Sequence, residues 1–193
     1  MKRSQRLNQL YNRSEEVFSA QELKQIWQLE GNTFKRTVQR MVEKDLLSRI
    51  TKGVYTLKDD FDPFELAGTL VKPSYISLNS ALTRLDVAFQ SLTTVSSIAT
   101  YTYTRKINDL ELKYYKIKDE IFNDDRGLRE KEGYTIASPE RAICDAFYLG
   151  FLPSIDNPDK LNWVRFEEVS EIYPKTVQNK VKELTEKYEL RGS

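Results

Sequence analysis

Residues 19–57, SAQELKQIWQLEGNTFKRTVQRMVEKDLLSRITKGVYTL, read as two helices on a tight turn followed by a β-hairpin. Ser19 is a good cap for a first helix in which Leu23, Ile26, Trp27 and Leu29 fall near helical spacing, and Gly31 marks its end. Asn32 then caps a second helix, where Phe34, Val38, Met41 and Val42 recur at i, i+4, i+7 and i+8 and form a stripe to be buried. The opposite face carries Thr33, Lys35, Arg36, Thr37, Gln39 and Arg40 within two turns. Leu47, Ile50, Val54, Tyr55 and Leu57 make a short two-stranded ribbon about Lys52-Gly53. Two helices, a glycine-containing turn, a basic second helix and a glycine-tipped hairpin, in that order, make a winged helix-turn-helix.

Outward from this stretch, Arg3 to Tyr11 forms an opening helix. Leu7, Leu10 and Tyr11 face the core of the head, and Lys2, Arg3 and Arg6 lie near a DNA backbone. Phe18 packs underneath. The charged, proline-containing Lys58-Asp59-Asp60-Phe61-Asp62-Pro63 is the junction, dividing the chain into a DNA-binding domain at 1–58 and a body at 59–193. Charge divides the same way. Residues 1–58 hold 12 Lys plus Arg against 6 Asp plus Glu, which leaves 18 against 23 for the rest of a chain whose net charge is +1. A basic head attracts phosphate; an acidic body suits a protein partner.

In the body, Pro63 starts a helix that Lys72-Pro73 stops. Ser74 to Ile76 is extended, and Ser77 caps a helix burying Leu78, Ala81, Leu82 and Leu85. The Thr-, Val- and Tyr-rich run from Leu92 to Ile107 gives two strands, Leu110 to Ile117 a third and Gly133 to Ala137 a fourth. Ser138-Pro139-Glu140-Arg141 is a helix start with Ser as cap and Pro at the first position. Helices follow about Trp163 to Ile172 and Thr176 to Tyr188. The fold class is therefore α+β: the winged head, then a mixed α/β body with a small, mainly antiparallel sheet and C-terminal helices.

Several chemistries are excluded by composition. The chain of 193 residues has no histidine, which removes His-based triads and His zinc sites. No glycine-rich phosphate loop occurs among the 7 glycines. No cofactor or metal is expected, and no apolar run suits a membrane span. The absence of a secretion-signal core and the single cysteine, Cys144, fit a reducing cytoplasm, with Cys144 as a small buried hydrophobe. One enzymatic pattern stands out: Asp109, Glu111 and Lys113 share a strand face, as in metal-dependent nucleases, but alternating charge is also the wet face of any sheet. The chain is read as no enzyme.

With these motifs placed, the sequence resembles the AbiEi family of abortive-infection antitoxins, part of the type IV toxin-antitoxin systems. Four stretches in order carry the resemblance: KGVYTL at 52–57, PSYISLNSAL at 73–82, TTVSSIATY at 93–101 and YTIASPERAICDAFYL at 134–149. It implies a transcriptional autorepressor that binds inverted repeats of double-stranded DNA in its own promoter, as monomer or homodimer. It also implies an antitoxin that counteracts a neighbouring nucleotidyltransferase-like toxin, directly or functionally.

The candidate DNA-binding residues are Thr33, Lys35, Arg36, Gln39 and Arg40 on the second helix, with Arg49 and Lys52 on the hairpin. Arg141 and Asp145, spaced i to i+4 behind the SPER start, are the candidates for antitoxin function. An ordinary intrahelical ion pair is the competing reading and the one the spacing favours. Two other functions stay open: a ligand-responsive repressor with the body as effector domain, and a metal-dependent nuclease.

Overall fold

Ser19 sits at the corner from which the N-terminal half is built. Its Oγ accepts from the Glu22 backbone N–H at 3.1 Å, while its own N–H donates to Glu22 Oε2 at 2.7 Å. This reciprocal capping box satisfies two backbone donors that a helix start otherwise leaves without partners. The structure, a computed structural model, describes residues 3–91 and 93–189. Among the described residues it is an α+β protein with two sheets. The chain divides into two compact units, one running through Lys72 and including Glu132–Tyr134, the other formed by the rest from Pro73 onward.

The first unit contains α1 (Arg3–Tyr11), β1 (Val17–Ser19), α2 (Ala20–Trp27), α3 (Gly31–Val42), β2 (Ser48–Thr51), β3 (Val54–Thr56) and α4 (Pro63–Leu70). The three strands form an antiparallel sheet in the order β1-β3-β2. Leu10, Phe18, Leu23, Trp27, Phe34, Val38, Met41 and Leu47 make one buried core, so the stripe expected on α3 faces inward. The indole Nε1 of Trp27 donates to the Arg6 carbonyl at 3.2 Å and ties α1 to α2. Tyr11 departs from expectation: it is 61% exposed, because α1 turns it out past Leu10. Helix boundaries also differ. α2 ends at Gln28, whose φ of 52° closes it in the left-handed conformation. α3 opens at Gly31 with Glu30 as its flanking residue, so Asn32 lies inside the helix and does not cap it. α4 is capped by Asp62, which accepts from Phe64 N–H at 2.9 Å, with Pro63 in the first turn.

The second unit contains β4 (Ser74–Ile76), α5 (Leu78–Arg84), β5 (Thr94–Ala99), β6 (Tyr103–Ile107), β7 (Leu110–Lys116), α6 (Asp119–Phe122), β8 (Leu128–Lys131), β9 (Tyr134–Ala137), α7 (Pro139–Tyr148), α8 (Trp163–Ser170) and α9 (Lys175–Glu189). Its six strands run β6-β7-β5-β4-β9-β8. The sheet is mixed, since β5 pairs with β7 and β4 with β9 in parallel while β4 pairs with β5 and β6 with β7 antiparallel. Each of these parallel pairs is reached by a crossover, and a hairpin reading of consecutive strands misses that. α7 is the central helix, with its residues Glu140 to Ala146 all buried. Val177, Val181 and Thr185 give α9 its buried face. Leu92, expected to open the strand run, and Lys2, expected near DNA, lie outside the described residues. Among the described residues, no helix is long and apolar enough to cross a membrane.

Candidate nucleic-acid interface

With Phe34, Val38 and Met41 turned inward, the 3.6-residue repeat sets where every other α3 side chain points. Arg36 lies opposite the buried stripe, on the crest of the helix. Thr33, Thr37 and Arg40 lie on the flank toward α1, and Lys35 and Gln39 on the flank toward the β2–β3 hairpin. Thr33, Lys35, Arg36, Gln39 and Arg40 are all exposed, as are Arg49 and Lys52 on the hairpin. The structure therefore places these seven candidates on the surface, and α3 and the hairpin supply all of them.

The two flanks differ. On the hairpin side, a groove is lined by Phe34, Lys35, Val38, Gln39, Arg49 and Tyr55 among others. Gln39 Nε2 donates to Glu43 Oε1 at 2.8 Å, so its amide is already engaged within the helix. Reading a base with it requires exchanging that bond. Arg49 Nε donates to the Thr51 carbonyl at 3.4 Å, which lays its guanidinium along β2. At the hairpin tip, Gly53 has a φ of 82°, the turn geometry that lets Lys52 protrude. On the α1 side, Thr37 Oγ1 donates to the Thr33 carbonyl at 2.8 Å. Arg40 there shares a cleft with Arg3, Arg6 and Lys44. Lys44 was not singled out from sequence. Its spacing of four from Arg40 is the signal that could have found it.

Arg141 and Asp145 lie elsewhere, inside the second unit, and both side chains have 0% exposure. Asp145 accepts from Ser77 Oγ at 2.7 Å, Tyr173 Oη at 2.7 Å and Tyr75 Oη at 3.3 Å. Arg141 donates to the carbonyls of Ile121, Asp124 and Arg126 and to Tyr75 Oη. Its guanidinium lies over the rings of Tyr75 and Tyr173 at 5.4 and 5.5 Å. Burial pushes the Asp145 carboxyl above the ordinary range, against the opposing pull of Arg141 and the three hydroxyls. Ser77, expected to cap α5, makes no side-chain cap and gives its hydroxyl to Asp145 instead. The pair thus links four parts of the second unit and offers no surface to a partner. Cys144, next to it in sequence, is buried, and its thiol is pushed well up by desolvation.

On β7, Glu111 pairs with Lys113 at 2.8 Å, and Thr94 Oγ1 donates to Glu111 at 3.3 Å. The carboxylate is occupied by local partners. Among the described residues, no group of three or more His, Cys, Asp or Glu side chains is placed to hold a metal ion. No family model matches the chain, and no curated protein matches it.

Proposed function

We propose that the first unit is a winged helix-turn-helix that binds double-stranded DNA and represses transcription from its own promoter, and that the second unit carries antitoxin activity. The observation that carries the DNA half is the α3 crest. Arg36 projects opposite a fully buried stripe, with Lys35, Arg40 and Thr33 beside it and the Arg49–Lys52 hairpin next to it. A helix so presented fits the major groove, where Arg recognises guanine edges and a hairpin follows the adjacent backbone. The antitoxin half, directed at a nucleotidyltransferase-like toxin encoded nearby, rests on the resemblance of the four matching stretches to AbiEi antitoxins. In this reading the protein is a regulator without catalysis.

The test is a mobility shift with the DNA upstream of the gene. Wild type is expected to retard it at nanomolar to micromolar concentration, and a folded Arg36→Ala, Arg40→Ala double variant is expected not to. Normal retardation by that variant would overturn the assignment of α3.

A further inference from the structure

Four cations meet on one side of α3. Arg3 and Arg6 on α1, and Arg40 and Lys44 at the C-terminal end of α3, line a cleft of about 480 Å³ with Thr37, over the buried Met41. Arg3 and Arg6 are three apart on α1 and present like charge on one face, an arrangement that destabilises an isolated helix, and Lys44, two residues past the end of α3, adds a cation beside Arg40. The two pairs face each other across the cleft. Among the described residues, none of the four is in an ion pair and no carboxylate lines the cleft. Lys24, Lys35, Arg36, Arg49 and Lys52 are likewise outside every ion pair of the described residues, whereas three other cations of the first unit are paired. Lys58 pairs with Glu16, Lys72 with Glu22 at 2.6 Å and Arg13 with Glu15 at 3.6 Å.

Three details define the cleft. The Trp27 indole holds the Arg6 carbonyl, which sets α1 against the core. The Arg6 Nε is buried and has no hydrogen-bond partner. Thr37 uses its hydroxyl hydrogen on the Thr33 carbonyl, so the site's donors are all cationic. The negative end of the α3 dipole favours cations at Arg40 and Lys44, but it does not account for two more arginines brought from another helix.

We infer that this cleft is a phosphate-binding site, a clamp for one or two backbone phosphates of the DNA strand that flanks the α3 crest. The inference rests on the DNA-binding reading of the first unit and divides its work. Arg36 on the crest meets base edges, whereas Arg3, Arg6, Arg40 and Lys44 hold backbone and are indifferent to sequence. Arg40, grouped with Arg36 by sequence, belongs to the clamp by position.

The experiment compares the full-length wild type with an Arg6→Gln, Lys44→Gln variant. Anisotropy of a labelled 30-bp duplex of arbitrary sequence and of one from upstream DNA is followed across salt concentration. The variant should weaken both duplexes by the same factor and flatten the slope of log affinity against log salt by about 1 to 2, near 0.9 for each phosphate lost. An unchanged slope in a variant with wild-type circular dichroism overturns the clamp. If wild type binds no duplex, the DNA reading itself has failed, and the cleft is then judged by titrating inorganic pyrophosphate into 15N-labelled protein. Saturable shifts of the Thr37 and Lys44 amides in wild type but not in the variant support the phosphate site. Their absence in wild type overturns it.

Discussion

The Arg141 guanidinium lies 3.7 Å from the Asp145 carboxylate, and neither side chain is exposed to solvent. A buried ion pair is a poor source of net stability, because two desolvation penalties offset the attraction, but breaking one is costly because a charge is left without its partner. Here the cost is raised further by the hydroxyls of Ser77, Tyr75 and Tyr173 that converge on Asp145. Asp145→Ala should destabilise the protein by about 3–5 kcal/mol in urea unfolding. Tyr173→Phe, which removes one hydrogen bond to a charged acceptor and keeps the ring, should cost about 1.5–3 kcal/mol. A near-neutral Asp145→Ala would mean that the network is not what joins α7 to its neighbours.

This pair also marks what was legible beforehand. The spacing of Arg141 and Asp145 on one helix face was readable, and so were the Ser138-Pro139 start and the apolar stripe of α7. Their burial was not, since the partners Tyr75, Ser77 and Tyr173 come from distant sequence and only the folded chain brings them together. The same division holds in the first unit. The stripe Phe34, Val38, Met41 was fixed by local periodicity, and the exposed face followed from it. β1 was missed because three residues, Val17–Ser19, carry no alternation long enough to distinguish a strand from a loop. β8 was missed because LREK is mostly charged and exposed. The parallel pairings depend on crossovers, which no local pattern encodes.

The capping box at α2 gives a pH-dependent prediction. Burial pushes the Glu22 carboxyl up, but Lys72 at 2.6 Å and the hydrogen bonds with Ser19 more than offset this and hold it below its ordinary 4.5. A carboxyl more acidic when folded than when unfolded stabilises the fold above the unfolded value, and that contribution is lost as pH falls through the folded one. The melting temperature should therefore fall below about pH 4.5, and Glu22→Gln, which can still complete a capping box, should flatten that fall. Equal pH slopes for wild type and variant between about pH 6 and pH 3 would rule this out.

Removal of the other half of the box is a separate test. Ser19→Ala should cost about 1 kcal/mol at neutral pH, the usual value of an N-cap hydroxyl. The loss should be seen as a lower denaturant midpoint without a change in slope.

Gly127 distinguishes backbone strain from collision. Its φ is +77°, and a Cβ there would lie 2.8 Å from Arg141 Cβ and 3.2 Å from Ser138 Oγ. Gly53 at the hairpin tip has a φ of +82° but nothing within 4 Å. Gly53→Ala should cost only the left-handed strain of about 1–2 kcal/mol. Gly127→Ala should cost more, because the helix carrying Arg141 must shift as well. Comparable losses for the two variants would show that the loop before β8 yields without disturbing α7.

Repression and protection should separate in a single full-length variant. Arg36 and Arg40 are exposed, contribute nothing to the buried stripe of α3 and make no ion pair among the described residues, so Arg36→Ala with Arg40→Ala should leave the fold intact and its unfolding free energy within about 0.5 kcal/mol of wild type. For wild type, neutralising about four phosphates per head predicts a slope of roughly −3 to −4 in log affinity against log salt. The double variant should lose this binding and derepress a reporter driven by the upstream DNA. Under the proposed function, the same variant expressed from an unrelated promoter together with a nucleotidyltransferase-like toxin encoded beside the gene should still rescue growth, because that proposal assigns protection to the second unit. Loss of rescue by a folded, equally abundant variant would place α3 in both functions and would reduce the division between a DNA-reading head and a protective body to one of sequence alone.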